Sequence, residues 1–520
     1  VSAFIKSISP NFENVEKEFN ERGASLLWIR RIDDIETPIS ALAKLGADKF
    51  GACLFESVEG GETRGRYSIV ATDPDVVFEI NKGIASICEI DENGNRQTAK
   101  TIDAKPLDAL RQFIKQSELK IPNNLPPPIA GIYGYLSYEM VRYFEKLPKN
   151  ADEPLGLPEA VMTRPRIIIV FDGVKQELLI ATTIRTNKNE SHDETYQKGI
   201  ARLRKVWEIL DAPCPLHAPR LDNHSDELPH IHAHQSPESY MDAVKKAQEY
   251  IVAGDIFQVV PSQRFSIDYK GSSLALYRAL RRTNPSPFLF MLQMNGFSII
   301  GSSPEILVRL RDGNITLRPI AGTRPRGETP ALDKALEEEL LNDPKEIAEH
   351  LMLLDLGRND VGRVSISKPR GNGEPGQLNG GIRVTQKFVV ERYSHVMHIV
   401  SNVEGTLKPE YDALDALLAG FPAGTVSGAP KIRAMEIISE LEPHERGIYA
   451  GGVGYFSSGG DMDMCIALRT GVLKDEKLYV QAGAGVVLDS VPLSEHNECV
   501  NKAKALIYAA REAQKYEGGK

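Results

Sequence analysis

The chain has 520 residues, with 62 lysines and arginines against 71 aspartates and glutamates, a formal net charge of −9. That modest acidity excludes a generally basic nucleic-acid binder, and 42% hydrophobic with 26% charged residues excludes a disordered chain. Single cores stop growing at roughly 250–300 residues, so the length requires two core regions or one large layered body.

Residues 1–10 alternate polar and apolar side chains with no signal-type apolar run, and apolar runs such as 167–171 are too short to span a bilayer. No export and no membrane insertion are expected. Residues 1–211 form a strand-rich region, with strands expected at 51–56, 67–71, 76–80 and 166–171. Helical spacing of Tyr196, Ile200, Leu203, Trp207 and Leu210 closes that region and stops at Pro213 and Pro215. The stretch 212–235 carries four prolines and the histidines 217, 224, 230, 232 and 234 without apolar periodicity, and reads as a linker. Alternating His230, His232 and His234 lack a carboxylate or cysteine partner at fixed spacing, which argues against a metal site there.

The second region spans 236–520. Ser236-Pro237-Glu238 opens a helix to Ala253, a second helix covers 275–282, and strands follow at 288–294, 297–301 and 306–311. Separate helices among hairpin-like strands predict an α+β fold. Asp343-Pro344-x-Glu346 reads as a helix start, and the helix carries Glu346 and Glu349 one turn apart beside the apolar series Ile347, Leu351, Leu354. Gly424-Thr425-Val426-Ser427-Gly428-Ala429-Pro430-Lys431 runs into a helix with Pro430 in its first position. Arg469 falls on a strand-like stretch, and Gly483-Ala484-Gly485 follows the strand 478–482. Both glycine loops could offer backbone N–H groups to an anion, but neither has nucleotide-loop spacing, and each alone is more readily a tight turn. A last helix from Pro492 sets Glu495 and Glu498 one turn apart, with Lys502 next and Cys499, Ala503, Leu506 and Ala510 as a buried stripe. Two acidic helix faces that met would suit a hard ion such as Mg²⁺, although acidic faces are usually just solvated. Five scattered cysteines without Cys-x-x-Cys spacing fit a reducing, cytoplasmic setting.

Several segments, in order, resemble the chorismate-utilising enzymes, and most closely the large subunits of anthranilate synthases: Gly301-Ser302-Ser303-Pro304-Glu305, Arg318-Pro319-Ile320-Ala321-Gly322-Thr323, Glu349-His350-x-Met352-Leu353-x-Asp355-Leu356, Val396-Met397-His398, the Gly424–Lys431 loop and Gln481-Ala482-Gly483-Ala484-Gly485. Leu54-Phe55-Glu56-Ser57 and Arg66-Tyr67-Ser68 resemble the family's N-terminal, tryptophan-binding region. The resemblance implies a large layered β-sandwich with flanking helices. It also implies conversion of chorismate and ammonia to anthranilate and pyruvate, the first committed step of tryptophan biosynthesis.

Carried over residue by residue, the resemblance makes Glu349 and Glu498 ligands of Mg²⁺, with Glu346, Glu495 and Lys502 supporting them. Gly322, Thr323, Tyr449, Arg469, Gly483, Ala484 and Gly485 become the substrate-binding residues. Glu305 becomes the acid that protonates the departing hydroxyl, with His398 and Thr425 as the other catalytic residues. Water-using relatives carry a lysine where this chain has Gln258, and aminodeoxychorismate synthases carry one where it has Ala321, so both positions favour anthranilate. No cysteine lies in a Gly-x-Cys-x-Gly elbow, so a separate glutamine amidotransferase subunit is expected to supply ammonia, in a heterotetramer of two large and two small subunits. Feedback inhibition by tryptophan is expected at Ser57, Pro287, Phe288 and Leu289, the last two departing from the family's usual Pro-Tyr-Met. Two alternatives remain open at this stage: an aminodeoxychorismate synthase large subunit, and a non-catalytic metabolite-sensing homologue.

Overall fold

The computed structural model describes residues 2–59, 63–148, 155–219, 227–366, 381–393 and 396–517. Strands buried along most of their length build two antiparallel layers that share two long strands, Tyr67–Asn81 and Ala160–Asp172. The sequence predicts two strands at 67–71 and 76–80, and the structure makes them one. A register shift between Pro74 and Val76, with Asp73 at a positive φ of 55°, bends the strand so that it passes from one layer to the other.

The early part of the bent strand pairs with Cys53–Glu56, which pairs in turn with Phe288–Gln293, and the layer continues through Phe297–Ser303, Thr470–Lys474, Lys477–Gly483 and Ser262–Asp268. Beyond the bend, Ala160–Asp172 pairs with Gly131–Leu136, and that layer runs through Gly452–Ser457, Met462–Ile466, Ile306–Arg311, Asn314–Leu317 and Val396–Thr406 to Ile320–Pro325. One core fills the space between the layers, with Leu26, Tyr133, Phe290, Ile299 and Val453 among its members. A second lies under the helices His192–Asp211, Ser273–Thr283 and Pro492–Ala513, and a third under Pro106–Gln116, Pro344–Val364 and Ala413–Gly420. The fold is therefore the expected α+β layered sandwich with flanking helices.

Each of the three cores takes residues from both sides of the segment 212–235. Within that segment His232–Ala233 adds a short strand beside Ser262–Asp268, and His234 shares a 3.0 Å hydrogen bond with Ser266 Oγ. Residues 220–226, with His224, lie outside the described residues. Among the described residues no helix is long and apolar enough to cross a membrane.

Local corrections follow from packing. Helix Pro344–Val364 starts as expected, with the Asp343 side chain accepting from the N–H groups of Lys345 and Glu346. Its buried face, however, runs through His350, Leu353, Leu354, Gly357 and Val361, and Leu351 is exposed. Pro430 is the N-cap of helix Lys431–Leu441 rather than its first residue, because a short helix at Gly424–Ser427 and a strand at Gly428–Ala429 take up the loop before it. Arg469 is not on a strand: it lies in a turn with φ 47°, between Met462–Ile466 and Thr470–Lys474.

Candidate active site

A cavity of about 280 Å³ opens where strands of both layers end against helices Pro344–Val364 and Pro492–Ala513. Glu305 enters it from the link between Phe297–Ser303 and Ile306–Arg311, and is only 6% exposed. Burial pushes its carboxyl up to about 8, against the opposing pull of the Thr425 hydroxyl and the Ile320 N–H. Thr425 Oγ1 is itself buried and lacks a hydrogen bond of ordinary geometry. At neutral pH the carboxyl is a proton donor in a nearly dry setting.

His398 lies on strand Val396–Thr406 opposite Thr323. Between Ala321 and Thr323 the neighbouring strand bulges at Gly322, whose φ of +74° needs a residue without a side chain. The bulge brings the Gly322 carbonyl to 3.1 Å and Thr323 Oγ1 to 3.0 Å from His398 Nδ1. A carbonyl can only accept, so Nδ1 carries the hydrogen and Nε2 keeps a free lone pair. Burial holds the ring down at about 4, with the Arg469 charge acting in the same direction, so the imidazole is neutral.

Arg469 lines the cavity, and among the described residues its guanidinium has no ion pair or side-chain hydrogen bond. Burial lowers its pKa while Tyr393 opposes that shift. A desolvated cation without a partner is suited to a bidentate carboxylate. Tyr449, 7% exposed, faces Gly483, and a Cβ at Gly483 would come within 2.7 Å of the Tyr449 hydroxyl and 2.8 Å of the Pro261 carbonyl. Gly483 and Gly485 line the cavity, whereas Ala484 does not: it packs in the core and its N–H donates to Pro261 O at 3.3 Å.

The two helices face one another across the opening. Glu349 and Glu498 both line the cavity, and burial raises the Glu349 pKa, with the charges of Glu346 and Glu498 adding to that and a hydrogen bond from Gln258 opposing it. Gln258 Nε2 donates to Glu349 Oε1 at 3.3 Å. Lys502 Nζ bridges Glu498 Oε1 at 2.7 Å and the Gly483 carbonyl at 2.8 Å. Glu346 and Glu495 stand just behind this line. Glu346 pairs with Arg324 at 2.9 Å, and burial raises the pKa of Glu495, opposed by a hydrogen bond from Ser490. Among the described residues no three acidic, histidine or cysteine side chains could hold a metal ion by themselves. Two carboxylates whose charges oppose each other do fit a hard dication that keeps waters and takes further oxygen ligands from a substrate.

The wall residues Val260 and Leu353 are absent from the expected site, whereas Gln258, expected where water-using relatives carry a lysine, lies in the wall. Leu353 follows Glu349 by four residues and so shares its helix face, a spacing that could have identified it. The segments expected to bind an inhibitor also meet: Glu56 pairs with Leu289, Phe55 with Phe290 and Leu54 with Met291. Leu54 and Leu289 are core residues, while Ser57, Pro287 and Phe288 are partly exposed. On its other edge this strand pairs Phe288 with Ser303, two residues before Glu305.

Residues 66–508 match the family described as chorismate binding enzyme. A Cereibacter sphaeroides protein named anthranilate synthase component 1 is 49% identical over 97% of this chain and 98% of its own length. An Aquifex aeolicus protein of the same name is 42% identical over 98% and 99%. The crystal structure of anthranilate synthase component I from Streptococcus pneumoniae superposes with a TM-score of 0.70 at 37% identity, covering 85% of this chain and 92% of that one. The menaquinone-specific isochorismate synthase of Escherichia coli, at 18% identity and a TM-score of 0.68, shares the fold.

Proposed function

Because the chain belongs to the chorismate-binding enzymes, in the group of anthranilate synthase component 1, we propose that its cavity converts chorismate and ammonia to anthranilate and pyruvate. The observation that carries this reading is one cavity holding a protonated Glu305, a neutral His398, an Arg469 with no ion pair among the described residues and the carboxylates of Glu349 and Glu498. Chorismate brings two carboxylates, a hydroxyl to be expelled and a ring carbon open to attack. Arg469, Tyr449 and the Gly483 backbone are suited to the side-chain carboxylate, and Glu349 and Glu498 would hold Mg²⁺ on the ring carboxylate side. When bound, that ion supplies charge neutralisation at the ring carboxylate.

Ammonia forms the new carbon–nitrogen bond as the ring hydroxyl departs, and Glu305 delivers the proton with which it leaves as water. The ring proton must then be lost and the bond between the ring carbon and the enolpyruvyl oxygen broken, with a proton reaching the enolpyruvyl methylene so that pyruvate is released. His398 Nε2, with its free lone pair, is the group available to accept the ring proton. Gln258 cannot act as a base toward water, which supports ammonia as the nucleophile.

The relatives' designation as a first component, and the lack of a cysteine elbow, support a glutamine amidotransferase partner that delivers ammonia. Tryptophan inhibition is supported by the pairing of strands Cys53–Glu56 and Phe288–Gln293, which links Ser57, Pro287 and Phe288 to the strand that leads into Glu305. The test is direct. Purified chain is incubated with chorismate, MgCl₂ and an ammonium salt at alkaline pH, and anthranilate fluorescence is followed with and without EDTA. Fluorescence that requires chorismate, ammonium and Mg²⁺ supports the reading, and chorismate left unconsumed overturns it.

A further inference from the structure

Behind the cavity lies a guanidinium that does not line it yet holds three residues of its wall. Arg446 is 3% exposed. Its Nη1 donates to the Val426 carbonyl at 2.7 Å and its Nη2 to the Val260 carbonyl at 2.6 Å. Its Nε donates to Glu442 Oε2 at 2.9 Å. The Tyr449 and Tyr138 rings lie 5.4 Å and 4.8 Å from its guanidinium carbon.

Val426 follows Thr425, Val260 lines the cavity, and Tyr449 closes it beside Gly483. The anchor is rigid on its far side as well. Glu442 also accepts from the Ser262 N–H at 2.8 Å and hydroxyl at 2.9 Å. Glu139, from the first region of the chain, accepts from the backbone N–H of Arg446 at 2.9 Å and of Gly447 at 3.0 Å. A buried ion pair of this kind is costly to desolvate and is weak evidence for stability alone. Its planar fork, by contrast, fixes two carbonyls and a ring relative to one another, which a flexible ammonium cannot do.

We propose that Arg446 is a positioning residue of this site, its guanidinium setting the Thr425–Val426 loop, Val260 and Tyr449 in register around the substrate. This rests on the cavity being where chorismate reacts. The consequence is specific. Loosening the clamp displaces Tyr449, which raises KM for chorismate, and moves Thr425 relative to Glu305, which lowers kcat and shifts its high-pH limb. Because Thr425 draws the Glu305 pKa down, its displacement should move that limb upward.

The experiment compares Arg446→Lys with Arg166→Lys. Arg166 is also buried, bonded to Asp73 at 3.2 Å and to the Pro74 carbonyl at 3.0 Å, but neither of these partners lines the cavity. Stability, kcat, KM and the pH profile are measured for each at fixed free-ammonia concentration. Both variants should lose stability. Only Arg446→Lys should lose kcat/KM, by roughly 100-fold for a misplacement of about an ångström, with KM raised and the limb shifted. Should that variant not fold, Glu442→Gln, which leaves the Val426 and Val260 bonds available but unpins the fork, is expected to shift the same parameters in the same direction. Arg446→Lys, or Glu442→Gln in its place, with wild-type kcat, KM and pH limb in the folded protein overturns the proposal. A wild-type chain inactive on chorismate and ammonia would instead overturn the functional reading.

Discussion

A carboxyl pushed up to about 8, as at Glu305, is protonated in the folded chain and ionised in the unfolded chain between the ordinary value of 4.5 and about 8. The folded state binds the extra proton in that window, so stability falls as pH rises through it, and the full penalty is roughly 3–5 kcal/mol. Glu305→Gln removes the penalty and the acid together. It should lower turnover roughly 100- to 10,000-fold, and raise stability at pH 8 by about 1–4 kcal/mol after allowing for an imperfectly bonded amide, with no gain at pH 4.5. Thermal or urea unfolding at both pH values checks the sign, and a variant less stable at pH 8 would contradict it. For the unmodified enzyme at constant free ammonia, kcat should decline as pH passes about 8, where Glu305 ionises.

Helices Pro344–Val364 and Pro492–Ala513 are the elements that bring Glu349 and Glu498 to one opening. Glu349→Gln and Glu498→Gln should each reduce Mg²⁺-dependent turnover by about 100-fold or more. Neither should lower the melting temperature much, since each removes a charge that opposes the other, and the Lys502 bridge that Glu498→Gln also gives up is half-exposed. Mg²⁺ titration of activity and calorimetric Mg²⁺ binding check this, and unchanged Mg²⁺ dependence in both variants would place the ion elsewhere. Ser57→Phe, at the end of strand Cys53–Glu56, should weaken tryptophan inhibition about tenfold or more while uninhibited kcat stays near wild type. If the segment is only core, the larger ring should cost roughly 1–3 kcal/mol and leave the inhibition curve where it was.

Most of these elements were legible in the sequence, because capping and apolar spacing are local: Asp343, Ser236 and the stripe through Cys499 and Leu506 behave as read. Leu351 was misread because a neighbouring spacing, through Leu353 and Leu354, carries the packing. Arg469 and Ala484 were misread for a different reason. A left-handed turn and an N–H already given to Pro261 are set by tertiary contacts that no local pattern encodes. The convergence of Glu305, His398 and Arg469 was legible only through resemblance to a family, since no spacing joins residues on separate strands and turns.

At the scale of the molecule, the segment 212–235 divides the sequence more than it divides the packing. Strand Gly131–Leu136 pairs with Gly452–Ser457, and Cys53–Glu56 pairs with Phe288–Gln293, so a fragment of residues 236–520 would expose strand edges and lose parts of all three cores. The whole chain should unfold in a single calorimetric transition, and the fragment should not give a cooperative one. A cooperative melt from the isolated fragment would contradict the shared-core description.

The central claim is that this chain itself joins ammonia to chorismate. Its most direct test incubates the purified chain, without any partner, with chorismate, Mg²⁺ and either ¹⁵N-ammonium or amide-¹⁵N-glutamine, and identifies the products by mass spectrometry. Labelled anthranilate with an equal amount of pyruvate from ammonium, and none from glutamine, is the expected result. Isochorismate, or an aminodeoxychorismate that keeps its enolpyruvyl group, as the end product would contradict it.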